Sequence, residues 1–283
     1  MKRINYLILF CLALVSCSPD ENFPDESKRL VVDGWIEQGA VAQIIATYSS
    51  SFLSNIDSVS ALGFMASRAK VSVSTFNANE VLTLRSSDLY FPPLVYSGYE
   101  IRGKTGQTYS MEVVLQGETY TASATILPPP VVDSVWMEVV NDTCGVVRII
   151  INDPPSVHNY YRIYAQRYGV DKQPVAVYLP NYADDLFDGK VVELPIFRGT
   201  ASNLAREKGL YFDLHDKVLI KVCSMDKATY TYWSRIQLQL SGSKNPFSSN
   251  GRPLPTNISG NAIGYWCAYG VTQKWISPTV KRK

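Results

Sequence analysis

Few residues in this 283-residue sequence have the types and spacing that catalysis or metal binding would need. The two histidines, His158 and His215, stand far apart, each with aspartates near it in sequence: Asp153 for the first, Asp213 and Asp216 for the second. Zinc needs three or four nitrogen, sulfur or oxygen ligands, and neither Cys-x-x-Cys nor His-Glu-x-x-His occurs. There is no Gly-x-Ser-x-Gly elbow to present a serine nucleophile and no glycine-rich phosphate loop behind a strand. Asp184, Asp185, Asp188 and Glu193 offer the oxygen ligands that calcium takes, but without an Asp-x-Asp-x-Asp-Gly loop they read as a solvated acidic turn. No catalytic residue, metal or cofactor is therefore assigned, and the chain reads as a non-enzyme.

Binding is better motivated. The chain holds 18 tyrosines, 10 phenylalanines and 5 tryptophans, more rings than two modest β cores require. Two groups fall in loop-like sequence: Tyr90 and Phe91 before Pro92-Pro93, with Tyr96 and Tyr99, and then Tyr178 and Tyr182 with Phe187. Such rings give large contact area at low entropic cost, so these residues are the candidate ligand or partner contacts. The competing reading is that tyrosine is simply a common strand residue. With 27 basic and 25 acidic side chains, for a net charge of +2, no basic patch for nucleic acid is implied.

Cysteine usage points to the compartment. Lys2 and Arg3 precede an apolar run from Tyr6 to Val15, too short to span a hydrocarbon core of roughly 30 Å. It ends in Leu14-Val15-Ser16-Cys17, which resembles a bacterial lipobox, so residues 1–16 are expected to be a signal peptide and Cys17 the lipidated anchor. Residues 17–27 carry four acidic side chains and two prolines and form an acidic tether. Acidic residues behind the cysteine resemble the export signal of Bacteroidota lipoproteins. Ser18, where enterobacterial retention would place aspartate, favours the outer membrane. Cys144, Cys223 and Cys267 remain, allowing at most one disulfide among three possible pairs. Their apolar settings, as in Val222-Cys223 and Trp266-Cys267, favour buried thiols.

The elements that must position these residues are strands. Residues 30–36 and 41–48 are β-branched and aromatic runs about a turn, and Lys70 to Phe76 alternates at period two. Thr108 to Leu115 and Glu118 to Ile126 flank Gln116-Gly117 as a hairpin. Three prolines at 128–130 then mark a domain boundary. The fold expected is mainly β: two consecutive β-sandwich-like domains of immunoglobulin or transthyretin type, at 28–126 and 135–276, joined by a linker at 127–134 and ending in a basic tail at 277–283. The second carries one packed helix at 226–240, capped by Asp226, with Tyr230, Trp233, Ile236 and Leu240 on one face.

Several of these features, in this order, resemble one family. They are the lipobox, the Leu30-Val31-Val32-Asp33-Gly34-Trp35-Ile36 strand, the hairpin that ends in Thr119-Tyr120-Thr121-Ala122 before the proline joint, and Val132-Asp133-Ser134-Val135. The Tyr- and Trp-bearing helix and the closing stretch from Asn257 to Tyr265 complete the set. The chain is similar, over about residues 28–272, to the Bacteroidota lipoproteins of domain of unknown function 4249. That resemblance implies an accessory role beside a TonB-dependent outer-membrane transporter in nutrient capture, with display on the cell surface as part of the expectation. It brings no catalytic residues with it. The alternative is a structural or assembly lipoprotein of the outer membrane that binds no small molecule. Asp57-Ser58-Val59 and Asp133-Ser134-Val135 each resemble the Bacteroidota O-glycosylation motif, which marks Ser58 and Ser134.

Overall fold

A computed structural model describes residues 28–49, 62–199, 209–242 and 253–278. Cys17, the tether, Ser58 and the basic tail beyond 278 lie outside the described residues. The protein is mainly β, two sandwiches with one packed helix, and both sandwiches use the same long sheet. Strands β1 (Leu30–Glu37), β2 (Val41–Tyr48), β5 (Thr83–Ser86) and β6 (Leu94–Arg102) make one half of it. Strands β11 (Tyr160–Arg167), β12 (Val175–Ala183) and β15 (Val218–Met225) make the other, and β16 (Ile263–Ile276) joins them in the order β12-β11-β15-β16-β1-β2-β6-β5.

Two smaller sheets cover one face of this long sheet. The first comprises β3 (Lys70–Ser74), β4 (Asn79–Val81), β7 (Thr108–Leu115) and β8 (Glu118–Thr125). The β7–β8 turn is Gln116-Gly117 with φ of 54° and 87°, the double positive φ of a type I′ hairpin. The second comprises β9 (Val131–Val139), β10 (Cys144–Asn152), β13 (Val191–Ile196) and β14 (Phe212–Asp213). Each encloses an apolar core. Val32, Ile36, Ile44, Val71, Val113 and Trp266 belong to the first, and Ile149, Ile151, Ile163, Ile196, Ile220 and Val222 to the second.

Strand β16 is the hinge of the design. Its first seven residues run parallel to β1, from the Val31–Ile263 pair to the Glu37–Tyr269 pair, and its last seven run antiparallel to β15. Trp266 and Ala268 enter the first core while Ile276 enters the second, so the two cores lie on the same side of this strand. Between them passes the proline segment. The Ser224 hydroxyl donates to the Pro128 carbonyl at 2.7 Å and the Thr272 hydroxyl to that of Pro130 at 2.6 Å. A side chain at Gly270 would meet the Leu127 carbonyl oxygen at 2.2 Å, so only glycine lets the segment cross.

Four expectations change. The joint at 127–134 contracts, because β9 starts at Val131: its Val132 fills the second core and pairs with Ile151. Residues 257–269, read with the second domain, complete the first core, since Ile258, Ala262, Trp266 and Ala268 all pack there. The two aromatic groups taken for loops lie largely on strands β6 and β12, hidden from pattern reading by Pro92-Pro93 before one and Pro180 within the other. Finally, Leu240 is exposed, because the helix, α1 (Lys227–Gly242), outruns the sheet beneath it. Its start is as expected: the Asp226 carboxylate accepts the Thr229 amide at 2.7 Å.

Candidate functional site

The face of the long sheet opposite the two cores has a different character. Period-two alternation turns Asp33, Trp35 and Glu37 of β1 and Tyr265, Cys267 and Tyr269 of β16 toward this outer side. Strand β11 adds Tyr160, Arg162 and Tyr164, and β15 adds Lys221, Cys223 and Met225. Helix α1 covers part of this surface with Tyr230, Tyr232, Trp233 and Ile236. The 87–93 connection between β5 and β6 approaches from the other side and packs Tyr90 edge-on against Trp35, with ring centroids 5.6 Å apart. Tyr90 donates its hydroxyl proton to Gln43 on β2. The β11–β12 turn braces this connection, Lys172 reaching Asp88 at 2.7 Å and Gln173 reaching the Leu89 carbonyl at 2.8 Å.

Charged groups lie inside this aromatic surround. Lys221 and Glu37 form an ion pair at 2.7 Å, with the ammonium 4.7 Å from the centre of the Tyr164 ring. The buried Arg162 guanidinium lies 3.9 Å over Trp233 and donates to the Tyr164 hydroxyl at 2.8 Å and to Asn181 at 2.6 Å. Trp233 donates its indole proton to the Tyr269 hydroxyl at 2.7 Å. Asp33 differs from all of these: its carboxylate takes part in no hydrogen bond or ion pair among the described residues. Its side chain is solvent-exposed, although the protein packs densely around it. That enclosure raises its pKa to about 6, with nearby Arg162 pulling the other way. Tyr90, Tyr232 and Cys267 all lie within its electrostatic reach.

Burial pushes the Cys223 and Cys267 thiols up to about 12, which keeps them protonated and poor nucleophiles near neutrality. Both are buried and free, and Cys144 is free as well, so these three residues form no disulfide.

The match to a known family spans residues 19–275, nearly all of the chain. This protein belongs to the DUF4249 family, a domain of unknown function. Among curated proteins nothing matches. A solved structure of two fibronectin type-III domains from chicken tenascin aligns at 9% identity, covering 69% of this chain and 90% of that one. Its TM-score to this DUF4249 chain is 0.20.

Within the DUF4249 chain, the sequence-derived contact residues divide. Tyr90 packs on Trp35 of the outer face, and Phe91 beside it is exposed. Tyr96 is no contact residue: it is buried in the first core, its hydroxyl donating to the Ala66 carbonyl at 2.7 Å. Tyr99 is exposed beneath the Arg85 guanidinium, 3.6 Å from its ring centre. Tyr178 is exposed on β12, whereas Tyr182, expected as a contact residue, packs partly buried against the second core. Ser134 is exposed on β9.

The acidic turn also divides. Glu193 faces Arg148 at 3.7 Å, while Asp153, Asp184 and Asp188 bring carboxylate oxygens within 4.8 Å of one another. Donors already occupy all three: Tyr161 and Gly189 on Asp153, Asn159 on Asp184, and Ser156 on Asp188. His158 adds a 3.3 Å contact to Asp184, and the group serves as a loop clamp. His215 stands exposed on the β14–β15 turn, outside that group. Sequence reasoning missed Asp33, Trp35, Arg162 and Lys221. The one available signal was a charged residue in the middle of an apolar run, as in Leu30-Val31-Val32-Asp33-Gly34-Trp35.

Proposed function

We propose that this protein is a lipid-anchored accessory protein of the outer membrane, facing outward, that captures a small ligand for a TonB-dependent transporter. Binding, rather than catalysis, is its task. The observation that carries the reading is the outer face between α1 and the 87–93 connection, where the exposed Asp33 carboxylate, without a hydrogen bond or ion pair among the described residues, lies beside the Trp35–Tyr90 ring pair. Ligand sites combine apolar walls with a few placed polar groups in this way. The raised thiol pKa values argue against nucleophilic chemistry there.

The lipobox at Cys17 and the acidic tether support the location. Among the described residues no helix is long and apolar enough to cross a membrane, so attachment falls to the acyl chains in this reading. More than one chain makes such attachment stable.

The test is affinity capture from detergent-solubilised outer membranes with the full-length tagged protein. Recovery of a TonB-dependent transporter is expected, and reproducible recovery of none would overturn the transporter role. Cys17→Ala should leave the fold intact and release the protein from the membrane fraction; continued fractionation with the outer membrane would show that a partner, not lipid, holds it.

A further inference from the structure

We infer that the outer face between α1 and the 87–93 connection binds a small ligand through an alkylated ammonium group, with Asp33 as its counter-charge and the Trp35–Tyr90 pair as its aromatic surface. The inference rests on the capture reading above and specifies the class of ligand.

The argument starts from which charges are already matched. On β15, Lys221 is held by Glu37. On β11, Arg162 directs its Nε proton to Tyr164 and an Nη1 proton to Asn181, and its guanidinium plane lies over Trp233. Asp33 alone accepts from no protein donor among the described residues, although Arg162 is near enough to offset part of its charge. Tyr90 from the 87–93 connection, Tyr232 from α1 and Cys267 from β16 also face it, and all three are neutral at physiological pH. An added cation therefore finds an open negative charge.

The neighbouring rings refine the choice. Trp35 lies two positions along β1 from Asp33, on the same face of the strand. Tyr90 stands against it at an interplanar angle of 62°, so the pair presents surfaces in two directions. Aromatic faces carry negative potential and attract cations whose charge is spread over methyl groups, which are cheap to strip of water. A small, strongly hydrated cation would gain less from them. A divalent metal would need several more oxygen ligands than one carboxylate supplies. An anion would meet Asp33 directly, and a purely apolar ligand would strip that carboxylate of its remaining water.

The experiment titrates full-length protein in detergent with choline and with its uncharged isostere 3,3-dimethylbutan-1-ol, by calorimetry and tryptophan fluorescence. Choline should bind about tenfold or more tightly than the isostere, since that ratio matches the attraction expected of one open carboxylate and two rings. Asp33→Asn should abolish the ratio and Trp35→Ala should weaken choline binding by a similar factor, both variants retaining the wild-type circular dichroism spectrum. Choline affinity should fall on acidification through about pH 6 as Asp33 is protonated, and Asp33→Asn should show no such fall.

Equal binding of the two probes, or no choline binding to folded wild type, would overturn the ligand class. Transporter capture retained alongside that result would leave the accessory role standing. Choline discrimination without transporter capture would remove the accessory role and keep the site.

Discussion

In β1, Leu30, Val32, Gly34 and Ile36 face the first core, whereas Asp33, Trp35 and Glu37 face the opposite way. The same alternation continues in β11, where Tyr161, Ile163 and Ala165 enter the second core and Tyr160, Arg162 and Tyr164 leave it. One face of the long sheet is thus apolar and sealed by two smaller sheets, and the other is aromatic, charged and covered only in part. Residues on the sealed face are constrained mainly by shape, with a few buried hydrogen bonds such as that of Trp266. Those on the outer face include charges whose burial costs stability. The candidate site follows from that asymmetry more than from any motif.

Substitutions on the sealed face should cost the most. Trp266 is fully buried in the first core, its ring 2.8 Å from where a Cβ on Gly34 would lie, and its indole donates to the Tyr109 carbonyl at 3.0 Å. Trp266→Ala should destabilise the fold by about 3–5 kcal/mol, measured by chemical denaturation. Gly270→Ala drives a methyl group into the Leu127 carbonyl and should cost about 1–3 kcal/mol or more by the same measurement. Stability within about 0.5 kcal/mol of wild type would mean that the proline segment can move aside without loss.

On the outer face the losses should be smaller and in one case reversed. Lys221→Met leaves Glu37 unpaired in a mostly buried position and should cost about 1–3 kcal/mol, most of it recovered by adding Glu37→Gln in a double-mutant cycle. Asp226→Ala removes the helix cap and should cost about 1 kcal/mol.

Asp33→Asn should stabilise. The folded-state pKa of about 6 lies above the ordinary 3.8, so between these values the folded chain binds more protons than the unfolded one and wild-type stability falls as pH rises. The variant should therefore melt higher than wild type above about pH 6, with the advantage vanishing below pH 3.8. A lower melting temperature at pH 7.5 would show that Asp33 stabilises the fold, and would blur the contrast between the two faces.

Much of this molecule is legible in its sequence because local rules decide it. Period-two runs locate β1, β2, β3, β7 and β8, and Asp226 ahead of an apolar stripe locates α1. Strands interrupted or preceded by proline, β12 and β6, escape such reading because proline signals a turn wherever it stands. The site is less legible still. Alternation tells that Asp33 and Val32 face opposite ways, but not which way is inside, or that helix α1 and the 87–93 connection will close on the charged side. Only tertiary structure brings Asp33, Tyr90, Arg162 and Trp233 to one surface, because β16 first runs beside β1 and then beside β15. The β1–β16 pairing, between residues more than two hundred positions apart, is fixed by the packing of whole sheets and has no signature in any short stretch of chain.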